Sequence, residues 1–398
     1  MNSNMYIAIL GRQPLLGVAE LERRFGAAAV TPLGESAALL QTDQSVDINS
    51  LGGSVKIAHI VSQTASNGWL GVSKQTVKYL LGELSHHNGK VTLGFSAYGF
   101  KINPRDVQKT GLVVKTRLKN TGGSIRLIPN TETALSSAQV FHNKLAGGGT
   151  KRELILVNGN NGRGYIAETI GVQDIDSYTL RDRGRPKRDA LNGMLPPKLA
   201  QIMVNLGSYP SGTIPWVLDP FCGTGVVLQE ASLIGDHVYG SDLNPKMAEF
   251  TEKNMDWFLP KFTPTGVYHG ARQADATTEH WPELEDGNPH AIVSETYLGE
   301  PMAQEPTSEK LAKVMARCEE VIRGFLANIA PQLESGAPLC IAIPAWRIKG
   351  EIKHLPVVDD LSDLGYNWID FEHVSRSDLI YYREDQIVAR ELLVITKK

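Results

Sequence analysis

The stretch WVLDPFCGTG, residues 216–225, sets an acid between an apolar run and a glycine-rich turn. Asp219 ends the run, Gly223 and Gly225 supply the turn, and a helical apolar pattern begins directly after. Glycines here allow positive φ and a close approach of backbone to ligand. About twenty residues on, the usual distance in a nucleotide-binding βαβ unit, VYGSDLNP ends a second apolar run with Asp242. A carboxylate at that strand tip suits a ribose diol, which offers two hydroxyl donors. A pyrophosphate would favour a G-x-G-x-x-G loop and would be repelled by Asp219, whereas an ammonium group would be attracted. This combination favours S-adenosylmethionine over a dinucleotide. The candidate cofactor residues are Asp219, Phe221, Cys222, Gly223, Thr224, Gly225, Asp242 and Leu243. Asp275 and Ala276 join them from RQADATT, where the acid could accept from the adenine amine.

A second cluster lies in AIVSETYLGEP, residues 291–301, where Ser294, Glu295 and Tyr297 follow an apolar run. The lone pair of an exocyclic base amine is delocalised into its ring. Such a nitrogen must be held ~3–3.5 Å from a sulfonium methyl, in line with it. A carboxylate can accept the amine hydrogens, so that the nitrogen pyramidalises and later loses a proton. An aromatic face can hold an extruded base by stacking. Glu295 is the candidate acceptor, Tyr297 the aromatic wall, and Ser294 the other residue that can stand at the acid position. The bland alternative is that these are ordinary strand-end residues, but a buried carboxylate then needs a partner.

The elements that must position these residues are legible as apolar runs. Strands at Trp216–Leu218, His237–Ser241, Ala291–Ser294 and Leu339–Ile343 alternate with helices at Gly225–Ile234, Pro245–Phe258 and Glu309–Ile329. The last helix carries Leu311, Val314, Met315, Cys318, Val321, Ile322, Phe325 and Ile329 on one face. Strands separated by helices predict an α/β fold with a Rossmann-like, doubly wound parallel sheet. Two final runs near Trp368–Val374 and Gln386–Thr396, with no helix between them, predict an antiparallel terminal hairpin at one edge. Asp275 lies in a short polar stretch after Val267–His269.

The first half reads as α+β. A strand at Tyr6–Leu10, a helix at Leu15–Phe25 and strands near Ala28–Thr31 and Ala37–Gln41 form one block. A second block has a strand near Ile57–Val61, a helix at Lys74–Leu84, a strand at Val91–Tyr98 and a basic helix after Pro104 with apolar residues Val107, Leu112 and Val113. Strands at Ser124–Ile128, Glu153–Asn158 and Gly164–Gly171 follow, and GGGT and GNNGRG read as hairpin turns.

Charge divides the 398-residue chain. Residues 1–188 hold 23 Lys and Arg against 13 Asp and Glu, and the remainder holds 17 against 30. A basic half joined to an acidic one points to a polyanion contacted by the first half. The candidate contacts are Lys101, Arg105 and Lys109 around the basic helix, and Arg181, Arg183, Arg185, Lys187 and Arg188 in a cluster that otherwise reads as a solvated linker. No apolar run approaches the ~20 residues of a membrane span. The three cysteines, Cys222, Cys318 and Cys340, lie far apart without metal-ligand spacing, which predicts no metal and reduced thiols in a cytoplasmic setting.

Asp219–Gly225 resembles the first motif of class I S-adenosylmethionine methyltransferases that act on nucleic-acid amines. RDRGRPKRDALNGMLPPKLAQIMVNLG and IYYREDQIVARELLVITK resemble segments of the THUMP-domain tRNA guanine-N2 methyltransferases, the guanine-10 type. YIAILGRQPLLGVAELERRFG and FSAYGFKI resemble that family's N-terminal domains. The resemblance implies a ferredoxin-like unit at 1–55, a THUMP-like RNA-binding domain at 56–175, a basic linker and Pro-Pro helix at 176–207, and a methyltransferase domain at 208–398. It implies tRNA as partner, and, as in some members of the family, a small activating protein. The departure is the second cluster, where the family has Asp-Pro-Pro-Tyr-Gly. Losing Pro-Pro removes a rigid turn, and a Glu carries its carboxylate ~1.5 Å, one bond, further than Asp. The alternatives left open are a degenerate methyltransferase acting as an RNA-binding or partner subunit, and a DNA N-methyltransferase.

Overall fold

The computed structural model describes residues 4–398 apart from 86, 88, 121–122, 161, 190–193, 210–212, 286 and 303. Part of the segment quoted above, 190–193, therefore lies outside the described residues. The chain divides into two compact units, Met1–Ser177 and Tyr178–Lys398. No helix among the described residues is long and apolar enough to cross a membrane.

The first unit contains β1 (Asn4–Leu10), α1 (Pro14–Phe25), β2 (Val30–Pro32), β3 (Ala37–Thr42), β4 (Ser54–Thr64), α2 (Trp69–Leu84), β5 (Lys90–Tyr98), α3 (Pro104–Lys119), β6 (Ser124–Leu127), α4 (Ser137–Asn143), β7 (Lys151–Asn158) and β8 (Gly164–Val172). All eight strands form one sheet in the order β2-β3-β1-β4-β8-β7-β5-β6. The expected boundary at residue 55 falls inside β4, which pairs with β1 on one side and β8 on the other. GNNGRG does join the antiparallel pair β7 and β8. GGGT does not make a hairpin, because α4 lies between β6 and β7 and both strands run parallel to β5. The apolar stripe of α3 is Val107, Val114 and Leu118 with Thr110 and Gly111, while Leu112 and Val113 are exposed. Positions 107, 110, 111, 114 and 118 share a helical face, and 112 lies well round the helix from 107.

One buried ion pair crosses this sheet. Lys56 of β4 donates to Glu153 of β7 at 2.5 Å and to the Leu135 carbonyl at 2.8 Å. Ser96 and Thr169 donate to the same carboxylate at 2.6 Å each.

The chain passes through α5 (Ile175–Arg183) into the second unit: α6 (Pro197–Leu206), β9 (Trp216–Asp219), α7 (Val226–Ile234), β10 (His237–Asp242), α8 (Pro245–Phe262), β11 (Tyr268–Gln273), β12 (His290–Glu295), α9 (Ser308–Ile329), β13 (Pro338–Ile348), β14 (Glu351–Lys353), β15 (Tyr366–Trp368), β16 (Ile380–Tyr381) and β17 (Val388–Lys397). The sheet order is β11-β10-β9-β12-β13-β17-β15, with β14 on β13 and β16 on β17. β9 to β13 are parallel neighbours in that order, and β17 is antiparallel to β13 and β15. This is the doubly wound sheet with a terminal hairpin that the apolar runs predict. The order reverses between β9 and β12, and ligands of such sheets bind beyond the carboxyl ends at that switch. The face of α9 buries Cys318, Ile322, Phe325, Leu326 and Ile329. Cys222, Cys318 and Cys340 are all unpaired and buried.

Lys56→Met is expected to destabilise the first unit by roughly 3–5 kcal/mol, because Glu153 is left buried without its cation. The double variant K56M/E153L should recover most of that loss. Denaturant melts in which the single variant matches wild type would show that the pair carries no such cost.

Candidate active site

Three carboxylates stand at the tips of adjacent parallel strands: Asp219 on β9, Asp242 on β10 and Glu295 on β12. All three line one cavity of about 500 Å³ in the second unit. Phe221, Cys222, Gly223, Thr224, Leu243, Tyr297 and Arg317 are also part of its wall.

The loop after β9 is held in place by both neighbouring strands. Asp219 Oδ1 accepts from Phe221 N at 3.2 Å and from Ser294 Oγ at 2.6 Å. Asp242 Oδ2 accepts from Gly223 N at 2.9 Å, and its Oδ1 from Asn244 N at 2.9 Å. Gly225 has φ 81° and opens α7, and a Cβ there would lie 3.1 Å from the Thr251 side chain. From α8, Thr251 donates to the Gly223 carbonyl at 3.0 Å and Asn254 to the Thr224 carbonyl at 2.8 Å.

Burial pushes the Asp219 carboxyl up to about 7, with Asp242 and Glu295 adding repulsion and the Ser294 and Phe221 donors opposing it. Burial likewise raises Asp242 against its two backbone donors. Glu295 is raised by burial and drawn back by Arg390, whose Nε donates to Oε1. Cys222 is a buried thiol held well above its usual range, which rules it out as a nucleophile.

The sequence-derived candidates separate into three groups. Asp219, Phe221, Cys222, Gly223, Thr224, Asp242, Leu243, Glu295 and Tyr297 converge on the cavity. Ser294 is fully buried and serves Asp219, so it stands behind the cavity wall. Asp275 and Ala276 do not reach the cavity. Asp275 is exposed and accepts from Thr277 N and Oγ1, closing a local turn, and Ala276 is packed into the core with Leu218 and Ile292. The preceding strand is β11, which the apolar runs did not single out.

The basic cluster is corrected in part. Arg181 is 5% exposed and binds Glu230 through Nε at 2.6 Å and Nη2 at 3.2 Å. Arg185 is 4% exposed and donates to Thr224 Oγ1 at 3.0 Å, with burial lowering it to about 10. Neither is free to meet a polyanion. Lys187 is half-buried and strapped by its backbone to Asn254, while Arg183 and Arg188 are exposed. In the first unit Lys101, Arg105 and Lys109 are exposed. The sequence reading missed Thr251, Asn254 and Arg317. Thr251 and Asn254 stand on adjacent turns of α8, three residues apart, and that spacing was their signal.

Residues 185–324 match the family described as RMKL-like, methyltransferase domain. A tRNA (guanine(10)-N2)-dimethyltransferase of Methanocaldococcus jannaschii is 29% identical over 244 residues, 60% of this chain and 63% of that protein. One from Methanothermobacter thermautotrophicus is 31% identical over 155 residues, 39% of this chain and 40% of that protein. The chain thus spans less than two thirds of the curated relatives it matches. The crystal structure of TrmN from Thermus thermophilus aligns with 99% of this chain and 100% of its own at a TM-score of 0.50 and 13% identity, a likeness of fold.

Asp219→Asn tests the buried charge. The folded-state pKa of about 7 lies above the ordinary 3.8, so the folded protein binds an extra proton between those values. Wild-type stability therefore falls as pH rises through that window. The variant should gain roughly 2–4 kcal/mol over wild type at about pH 8 and nothing below about pH 3, where both states are protonated. Melting curves with equal differences at both pH values would reject this.

Proposed function

We propose that the chain transfers a methyl group from S-adenosylmethionine to the exocyclic N2 of a guanosine in tRNA. The observation that carries this reading is the convergence of Asp219, Asp242, Glu295 and Tyr297 on one cavity at the switch point. The similarity to relatives named for that activity supports it.

The residues present fit the cofactor. Both hydrogen bonds to Asp219 fall on Oδ1, which leaves Oδ2 of this cavity-lining carboxylate without a partner among the described residues. An ammonium group answers that need. Asp242 uses one lone pair on each oxygen for the loop and keeps others for ribose hydroxyls. A cavity of about 500 Å³ suits a ligand of that size. When bound, S-adenosylmethionine supplies an electrophilic methyl. Glu295 accepts the amine hydrogens and takes the proton released, with Oε1 fixed by Arg390 and Oε2 without a partner among the described residues. Tyr297 gives the base an aromatic face. The first unit holds 18 Lys and Arg against 12 Asp and Glu. Lys109 lines a groove there with Trp69, Lys74, Lys78 and Arg117, a surface for phosphates, and Lys101 and Arg105 are exposed on the same unit.

Labelled S-adenosylmethionine with unmodified tRNA should yield labelled N2-methylguanosine on digestion. Unlabelled RNA from a protein that binds both cofactor and tRNA would overturn the reading. Glu295→Gln should slow transfer by ~10²–10⁴-fold with cofactor affinity intact. Asp242→Ala should weaken the cofactor by roughly 1.5–3 kcal/mol by calorimetry. Transfer at the wild-type rate in the first variant would remove Glu295 from the chemistry, and unchanged affinity in the second would remove Asp242 from the cofactor site.

A further inference from the structure

We infer that Arg317 binds a phosphate of the nucleotide whose base enters the cavity, so that the cavity mouth is a nucleic-acid subsite. This rests on the RNA-methylation reading and adds the anchor for the target nucleotide. Asp189, Asp219, Asp242 and Glu295 make the cavity acidic, and Arg317 is the only Lys, Arg or His among its described lining residues. An acidic cleft repels a polyanion. A base cannot reach Glu295 without bringing its own phosphate near the rim, so one cation at that rim decides whether the approach is tolerated.

Arg317 is exposed and makes no ion pair or hydrogen bond among the described residues. Two other cations on α9 are engaged: Lys313 pairs with Glu309 at 2.7 Å, and Arg323 with Glu319 at 2.7 Å and Asp360 at 2.6 Å, while Lys310 is not part of the cavity wall. The Arg317 guanidinium instead rests 5.4 Å from the ring centroid of Tyr297, the wall assigned to the base. An exposed cation–π contact is weaker than a charge-assisted bidentate bond to phosphate. The guanidinium is therefore parked beside the base site and free to transfer to a phosphate. Its planar fork suits a phosphate better than an ammonium would.

The test compares wild type with Arg317→Met, which keeps the length and apolar packing, and Arg317→Lys, which keeps the charge. Three quantities are measured: KM for tRNA, the salt dependence of tRNA binding, and cofactor affinity by calorimetry. Arg317→Met should raise KM about 10–100-fold and flatten the log–log salt slope by about 0.7, one single-strand phosphate. Cofactor affinity should not change. Arg317→Lys should restore the slope and only part of the KM. An unchanged slope in Arg317→Met overturns the proposal, as does a fall in cofactor affinity that accounts for the whole loss, since Arg317 would then only prop Tyr297. The two readings fail separately. Absence of methyl transfer by wild type sinks the enzymatic function, while the slope difference still decides the fate of Arg317.

Discussion

A carboxylate that cannot reach bulk water governs the architecture of the cavity. Asp219 is 2% exposed at the carboxyl end of β9, where the strand order reverses. Ser294 reaches it from β12, the neighbour on one side, and its own loop reaches it through Phe221 N. The bond from Ser294 therefore joins the two halves of the sheet where they diverge, and the bond from Phe221 begins the glycine-rich loop after β9. Burial raises the group to about 7, and the two donors offset only part of that rise. A site that keeps an acid in this condition is prepared for a cationic ligand.

The loop is braced from outside the sheet by groups that look like surface residues in the sequence. Arg185 donates to Thr224, Asn254 bridges the backbone of Lys187 to that of Thr224, and Arg181 makes a two-point contact with Glu230 on α7. The segment before the parallel sheet of the second unit is thus part of that sheet's support. The buried Arg181 guanidinium is matched by the Glu230 carboxylate, while Arg185 meets only the Thr224 hydroxyl and the Met194 sulfur among the described residues. The Lys56 and Glu153 network of the first unit is matched as the Arg181 pair is, with each carboxylate oxygen receiving a donor.

Features that depend on local pattern were legible in the sequence. The strand tips at Asp219, Asp242 and Glu295, the glycine turn and the long face of α9 all follow from apolar runs and the residues that end them. Features that depend on which partner arrives from elsewhere were not. Arg181 and Arg185 sit in a run of five cations, and nothing local distinguishes a cation that will meet Glu230 from one that stays in water. Asp275 shows the converse: an acid at the expected distance accepts from Thr277 in its own turn and is not among the residues that line the cavity. In α3, Leu112 and Val113 are apolar but off the buried face, because the positions that pack are set by the helical period and include Thr110 and Gly111.

The strand end at Glu295 shows how a lost constraint is replaced. Without the Pro-Pro turn, and with a side chain one methylene longer than Asp, a carboxylate here would have many orientations. Arg390 removes that freedom. It lies on β17, opposite Pro344 of β13, and reaches past β13 to bond Oε1 of Glu295. Glu295 is itself opposite Ala342 on β13, a residue small enough to leave that path open. Beyond Glu295, Thr296 returns the chain to the sheet by donating twice to the Ala342 carbonyl, through N and Oγ1 at 3.0 Å each. Gly299 then turns at φ 80°, where a Cβ would lie 2.8 Å from Val314 of α9. A turn fixed elsewhere by covalent rings is fixed here by an ion pair, a hydroxyl and a glycine. The carboxylate is held in place, and its charge depends on a cation two strands away.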